Sequence, residues 1–281
     1  MAKRTGAAIR GKFNKAGRST TKRAAGTAAG ANGHRGSRNL PSLGRMGRTL
    51  TFGKRTKPSC IVVMFHGLND SAECCSEGVA QRWADGLKGC LVVVPQSPDR
   101  SIWSGEPGTL GYDWLRQRGV HDTSDNEANI RELQRVALAR ARHVEAWIRD
   151  LLKKHGLKKD KLILTGFSQG SILAAVCAAR LNALGAVACG GVTGQPVYSA
   201  EEDGYVGGGW MRWEDLLPQT PVATRFCAVN GTKDCFVPRR NLEHMLSAFD
   251  CHWHWDRGVG HDFPDKWYEV ALKWMKQAFG Q

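Results

Sequence analysis

Short runs that are apolar at nearly every position recur along this chain, and they narrow its fold more than any other feature. Cys60–Phe65 reads CIVVMF and Cys90–Pro95 reads CLVVVP, and Lys161–Thr165, Ala186–Gly190 and Ala223–Val229 read as further, less uniformly apolar strands. A strand with one wet face alternates apolar and polar residues, so continuous runs of this length predict strands covered on both faces. Helical patterns lie between them: Ser71–Gly86, a long stretch from Ser124 to Gly156, Ser168–Leu181 and Arg239–Phe249. The long one carries Ile130, Leu133, Ala137, Ala141, Val144, Ile148 and Leu151 on one stripe. Ser124 and Glu127 have capping-box spacing at its start. Glu127–Arg131 and Glu145–Arg149 read as pairs on its wet face, and Gly156 as its end. Cys251–Asp256 reads as a last strand and Asp265–Phe279 as a closing amphipathic helix. Strand and helix in alternation predict an α/β fold, a mostly parallel central sheet flanked by helices on both faces. Reactive groups in such a sheet gather in loops at the carboxyl ends of the strands.

Charge divides the chain. Its 281 residues carry a formal +14, yet residues 1–57 hold 9 Arg and 6 Lys with no acid, which leaves 25 basic and 26 acidic side chains in 58–281. The first part is rich in Gly, Ala, Ser and Thr, a composition unable to bury enough surface to order itself. Residues 1–48 are therefore expected to be a disordered basic extension, and 49–281 the folded domain. The extension has three readings: an organelle transit peptide met by import machinery, a loose tether to an anionic partner, or a solvated tail without a dedicated role. Neither an apolar run of about 18 residues nor an apolar stretch after the first charges is present, which argues against a membrane span and a secretory signal. The nine cysteines are odd in number, scattered and free of C-x-x-C spacing, so a disulfide framework or a zinc site is not expected. They point to a reducing compartment, the cytoplasm first, with an organelle as the alternative. The oligomeric state is left open.

Gly166-Phe167-Ser168-Gln169-Gly170 has the G-x-S-x-G pattern, and its place between an apolar strand and a helix of small residues matters more than the pattern. A turn that sharp forces the serine into strained backbone and needs glycines where strand and helix approach. The Ser168 hydroxyl would then project above a helix N-terminus, where negative charge is favoured. A hydroxyl is a weak nucleophile without a base, so an acid and then a histidine are expected downstream. Asp234 follows strand Ala223–Val229 in NGTKD, and His261 follows strand Cys251–Asp256 in RGVGH. Asp256 is a reserve candidate for the acid. The backbone N–H of Gln169, and that of Leu68 in the HGLND segment after CIVVMF, are the expected oxyanion donors. His66 is expected to shape that loop. His252 and His254 share a strand face and read as packing residues, since no third metal ligand has suitable spacing.

HGLND, VVPQSP, GYDWL, GFSQG, NGTKDCFVP and GVGH, in this order, resemble the phospholipase/carboxylesterase family of α/β-hydrolases, the carboxylesterases and acyl-protein thioesterases. The resemblance runs from about Pro58 to the C-terminus. It implies an α/β-hydrolase fold, hydrolysis of esters or thioesters without a cofactor or metal, Ser168 as nucleophile, Asp234 as acid, His261 as base, and Leu68 and Gln169 as oxyanion donors. The GYDWL loop and the long helix look more like the bacterial-type serine esterases. Two residues depart from the thioesterase pattern: Asn69 in place of the usual Gly, and Ser171 in SQGS. The stretch between Gly194 and Pro221 does not align with these motifs; its Tyr198, Tyr205, Trp210 and Trp213 read either as a mobile cover over an acyl chain or as a packed surface excursion.

The expected reaction is serine hydrolysis of a small-molecule or acyl-chain ester or thioester through an acyl-enzyme. The rival reading is a catalytically silent α/β-hydrolase scaffold that binds a lipid or a partner.

Overall fold

The computed structural model describes residues 46–101, 111–115, 126–191, 197–199, 204–206, 216, 222–234, 236–237, 239–247 and 249–281. Its centre is a seven-stranded sheet built from β1 (Thr49–Gly53), β2 (Cys60–Phe65), β3 (Cys90–Pro95), β4 (Leu162–Phe167), β5 (Gly185–Cys189), β8 (Arg225–Gly231) and β9 (Cys251–Asp256). The order across the sheet is β1-β3-β2-β4-β5-β8-β9, with β1 antiparallel to β3 and every other pair parallel. Residues 197–199 and 204–206 form a separate antiparallel pair, β6 and β7.

Every residue of β2 and β3 is buried, and period-2 geometry sends alternate side chains to two cores. Ile61, Val63 and Phe65 join the core under α3 (Asn126–His155), α4 (Gln169–Leu181) and α5 (Arg239–Leu246). Cys60, Val62 and Met64 join the other, under α1 (Ala72–Ser76), α2 (Ala80–Gly86) and α6 (Asp265–Phe279). The fold is thus the α/β arrangement expected, with helices on both faces. Helix α4 is buried over almost its whole length. Its small residues (Ala174, Ala175, Ala178, Ala179) let it lie close against the sheet and α3. No described helix is long and apolar enough to cross a membrane.

Several local expectations change. Ser71–Gly86 is two helices, because Gly78 takes φ 71° and turns the chain between them. Strand β1 was not anticipated: its TLTFG sequence is short, and only Leu50 and Phe52 pack against a core. Helix α5 stops at Leu246 rather than Phe249. Glu145 is not on a wet face. It is 6% exposed and pairs with Arg180 of α4 as well as with Arg149. Gly156 does follow the end of α3, at φ 65°. The capping residue Ser124, the Glu127 side chain and residues 1–45 lie outside the described residues. Of the segment read as disordered, residues 46–48 are described; Gly47 N–H donates to Gln96 O at 3.0 Å and Gln96 N–H to Arg48 O at 2.8 Å. Most of the Gly194–Pro221 stretch, with Trp210 and Trp213, also lies outside them. Leu216 is buried, and its carbonyl accepts from Arg180 Nη1 at 3.2 Å.

Candidate active site

Ser168 sits between β4 and α4 with φ 52° and ψ −121°. Backbone of this kind costs a non-glycine residue about 1–3 kcal/mol and persists only where the surroundings enforce it. They do so here. Ser168 N–H donates to Cys189 O at 3.0 Å, and Ser168 O accepts from the Ser171 N–H at 3.0 Å and the Ser171 hydroxyl at 2.7 Å. The serine that departs from the thioesterase pattern thus ties down the turn. A Cβ on Gly166 would fall 2.5 Å from the Gly170 carbonyl group, and one on Gly170 would fall 2.3 Å from Phe65 O and 2.4 Å from His66 O. Neither position has room for a side chain.

The Ser168 hydroxyl makes no capping bond to its own helix and instead lies 2.9 Å from His261 Nε2. His261 Nδ1 lies 2.9 Å from Asp234 Oδ2. A carboxylate only accepts, so Nδ1 carries the proton there and the Nε2 lone pair faces the serine. The Asp234 side chain is fully buried; its Oδ1 accepts the N–H groups of Phe236 at 2.9 Å and Val237 at 3.1 Å. The loops that carry acid and imidazole are bonded to each other. Lys233 N–H donates to Val259 O at 2.9 Å, Gly258 N–H to Thr232 Oγ1 at 2.9 Å, and Gly231 has Val259 O where a Cβ would be, 2.1 Å away. Phe167 and Phe236 flank the imidazole with ring centroids at 5.0 and 4.8 Å, and Phe263 stacks on Phe167.

The HGLND loop lies against the same turn: a Cβ on Gly67 would be 3.7 Å from Ser168 Cβ. Among the described residues, neither the Leu68 N–H nor the Gln169 N–H has a backbone acceptor. Asn69 adopts φ 60°, a left-handed conformation that asparagine tolerates better than most residues. That accounts physically for its standing where a glycine is usual. Gly111 is bare above it, since a Cβ would meet Asn69 Oδ1 at 2.0 Å.

His66 is buried. Its Nδ1 donates to Gly67 O at 2.8 Å and its Nε2 accepts the Ser97 N–H at 3.1 Å, which describes a neutral ring. Burial lowers its pKa to about 4, against the bond to Gly67. His66 therefore braces the loop it begins. Asp256, the reserve acid, is engaged elsewhere: Lys266 Nζ at 2.7 Å and Trp267 Nε1 at 2.9 Å donate to it. His252 and His254 lie along β9 and form no part of this arrangement.

Sequence reasoning assigned no role to Asp113, Trp114 and Arg140. All three are buried within the same neighbourhood. Arg140 had a signal, since it falls four residues before Val144 and three after Ala137 on the apolar stripe of α3. A cation there needs a buried acceptor. It finds Trp114 O, at 3.0 Å from Nε, and the Asp99 carboxylate.

A mostly parallel sheet with a strained serine between β4 and α4 defines an α/β-hydrolase. Residues 48–202 match the phospholipase/carboxylesterase family, and the chain belongs to it. No curated protein matches the sequence. Among solved structures the chain is similar to esterase PE8, with 22% identity and a TM-score of 0.61 over 83% of this chain and 99% of that one. It is also similar to acyl-protein thioesterase 2 of Zea mays (17% identity, TM-score 0.57, 83% and 99% covered). A third is SOBER1 of Arabidopsis thaliana (18%, 0.56, 78% and 98%). At these identities the likeness speaks for the fold.

Proposed function

We propose that the chain is a serine hydrolase of carboxylic esters or thioesters, its catalytic body spanning residues 49–281. The observation that carries this reading is the continuous hydrogen-bonded series Ser168 Oγ, His261, Asp234. Family membership supports it.

In the first step His261 Nε2 takes the hydroxyl proton while Ser168 Oγ forms a bond to the acyl carbon. The carbonyl electron pair moves to oxygen, and the resulting anion accepts from the N–H groups of Leu68 and Gln169 at the N-terminus of α4. Collapse expels the alcohol or thiol, which receives its proton from His261. Water repeats the sequence on the acyl-enzyme and releases the acid. Asp234 holds the imidazole in the tautomer with Nδ1–H and stabilises it when charged.

The test is hydrolysis of nitrophenyl esters by wild type and Ser168→Ala, extended across acyl lengths and to thioesters. The reading expects turnover that Ser168→Ala abolishes. Undiminished turnover in that variant overturns it, and absence of turnover on every ester and thioester favours a silent scaffold.

A further inference from the structure

The two expected oxyanion donors belong to segments far apart in sequence, the loop after β2 and the first residue of α4. Two amides stabilise one oxygen only if their separation is held, and a displacement of about 1 Å can cost roughly a hundredfold in rate. Something must fix that separation. The residues in place to do so are Asp113 and Trp114, which the mechanism above does not use.

Gln169 is 3% exposed, and both polar atoms of its side chain are bonded to the Asp113-Trp114 dipeptide. Its Oε1 accepts the Trp114 N–H at 2.7 Å, and its Nε2 donates to Asp113 Oδ1 at 2.8 Å. The same Oδ1 accepts the Leu115 N–H at 2.8 Å, which fixes the carboxylate to its own turn. Trp114 also reaches the other donor segment: its indole Nε1 donates to His66 O at 3.0 Å. Its ring lies 4.8 Å from the His66 ring and edge-on to Phe65 at 5.4 Å. Behind it, the Trp114 carbonyl takes Arg140 Nε, and Ser97 Oγ donates to Asp113 O at 2.8 Å. One dipeptide therefore bonds to both donor segments, and rigid elements back it on the far side.

We infer that Asp113 and Trp114 are positioning residues that set the oxyanion hole, by holding the Gln169 side chain and the His66–Leu68 loop in one frame. The inference rests on the esterase reading and goes beyond it. Bonds of this kind could also serve folding alone, so the test must separate alignment of the donors from stability.

Trp114→Phe removes the indole donor and keeps an aromatic ring; Gln169→Met removes both side-chain bonds and keeps the backbone N–H. Each is assayed on a nitrophenyl ester and against a trifluoromethyl ketone of the same acyl chain. In the ketone adduct Ser168 Oγ bonds to the carbonyl carbon, the carbonyl electron pair becomes an oxyanion, and the serine proton passes to His261. The product carboxylic acid serves as a ground-state ligand. The expected result is a fall in kcat of about 10- to 100-fold, below the loss of a whole donor, with KM within about threefold. The inhibition constant of the ketone should rise in proportion to the loss in kcat/KM, while that of the acid stays within about threefold. Asp113→Ala should behave alike, and Asp113→Asn, which retains an acceptor for Gln169 and Leu115, should recover most of the rate. Unchanged kcat, or equal weakening of ketone and acid, overturns the inference, as does a lowered melting temperature without a kinetic change. If Trp114→Phe does not fold, Gln169→Met carries the same comparison. A wild-type chain that neither hydrolyses esters nor forms the adduct would instead overturn the esterase reading, a different outcome from an active wild type with indifferent variants.

Discussion

Asp234 Oδ2 lies 2.9 Å from His261 Nδ1 while its Oδ1 accepts two backbone N–H groups. One carboxylate thus both orders its own loop and orients the imidazole. These two duties separate by mutation. Asp234→Asn keeps an oxygen for the amides of Phe236 and Val237 but offers the imidazole the wrong partner, so kcat should fall by about 10³- to 10⁴-fold with little loss of stability. Asp234→Ala should match that loss and also cost about 1–3 kcal/mol in urea unfolding, because buried amides lose their acceptor. Asp256→Asn should leave kcat within a few fold. A large kinetic effect there would move the acid to Asp256.

Stability should depend on pH through His66. Its folded-state pKa is lowered from 6.5 to about 4. The unfolded chain therefore binds a proton near pH 6.5 that the folded chain refuses until about pH 4, and stability present above pH 6.5 is lost as pH falls. The predicted loss between pH 7.5 and pH 5 is roughly 2 kcal/mol from this group. Urea titrations at several pH values measure it. The contribution should vanish in His66→Asn, whatever that variant's starting stability.

Gly170 is the position where the turn has least tolerance. A Cβ would press on two backbone carbonyl oxygens, Phe65 O and His66 O, and neither belongs to a side chain that can swing aside. Gly170→Ala should destabilise by more than about 2 kcal/mol and displace Ser168 from His261. Gly258→Ala has open space around it and should cost only the price of its φ of 79°. Thermal denaturation of the pair distinguishes crowding from backbone strain.

The buried guanidinium of Arg140 bridges Trp114 O and Asp99. Arg140→Met leaves the Trp114 carbonyl without its donor while Asp99, 20% exposed, can be hydrated, so the variant should cost about 1–3 kcal/mol. Denaturant midpoints give the value, and a cost below about 1 kcal/mol would mean that the pair is screened by water.

Much of this was legible in the sequence because it depends on local rules. Continuous apolar runs marked the doubly covered strands β2 and β3, and Ser168, Asp234 and His261 each follow a segment read as a strand, so the carboxyl ends of one sheet could collect all three. Other features depend on partners distant in the chain. The strand at Thr49–Gly53 exists because β3 offers it an edge, not because TLTFG is strongly apolar. Gly78 splits a helical pattern that its neighbours otherwise continue. Glu145 looks like a surface charge in any window of the sequence, and Arg140, although it falls on the apolar stripe of α3, has no acceptor within its own segment; the approach of Asp99, Trp114 and Arg180 supplies the partners of both. Asp113 and Trp114 stood in a recognised motif, but their contacts to both donor segments are three-dimensional facts.

The most direct measurement is intact-protein mass spectrometry after reaction with a fluorophosphonate, followed by peptide mapping. An activated serine predicts one adduct per chain, located on Ser168, absent in Ser168→Ala and formed at least about a hundredfold more slowly in His261→Ala. A chain that stays unmodified, or an adduct that persists in Ser168→Ala, would contradict the account.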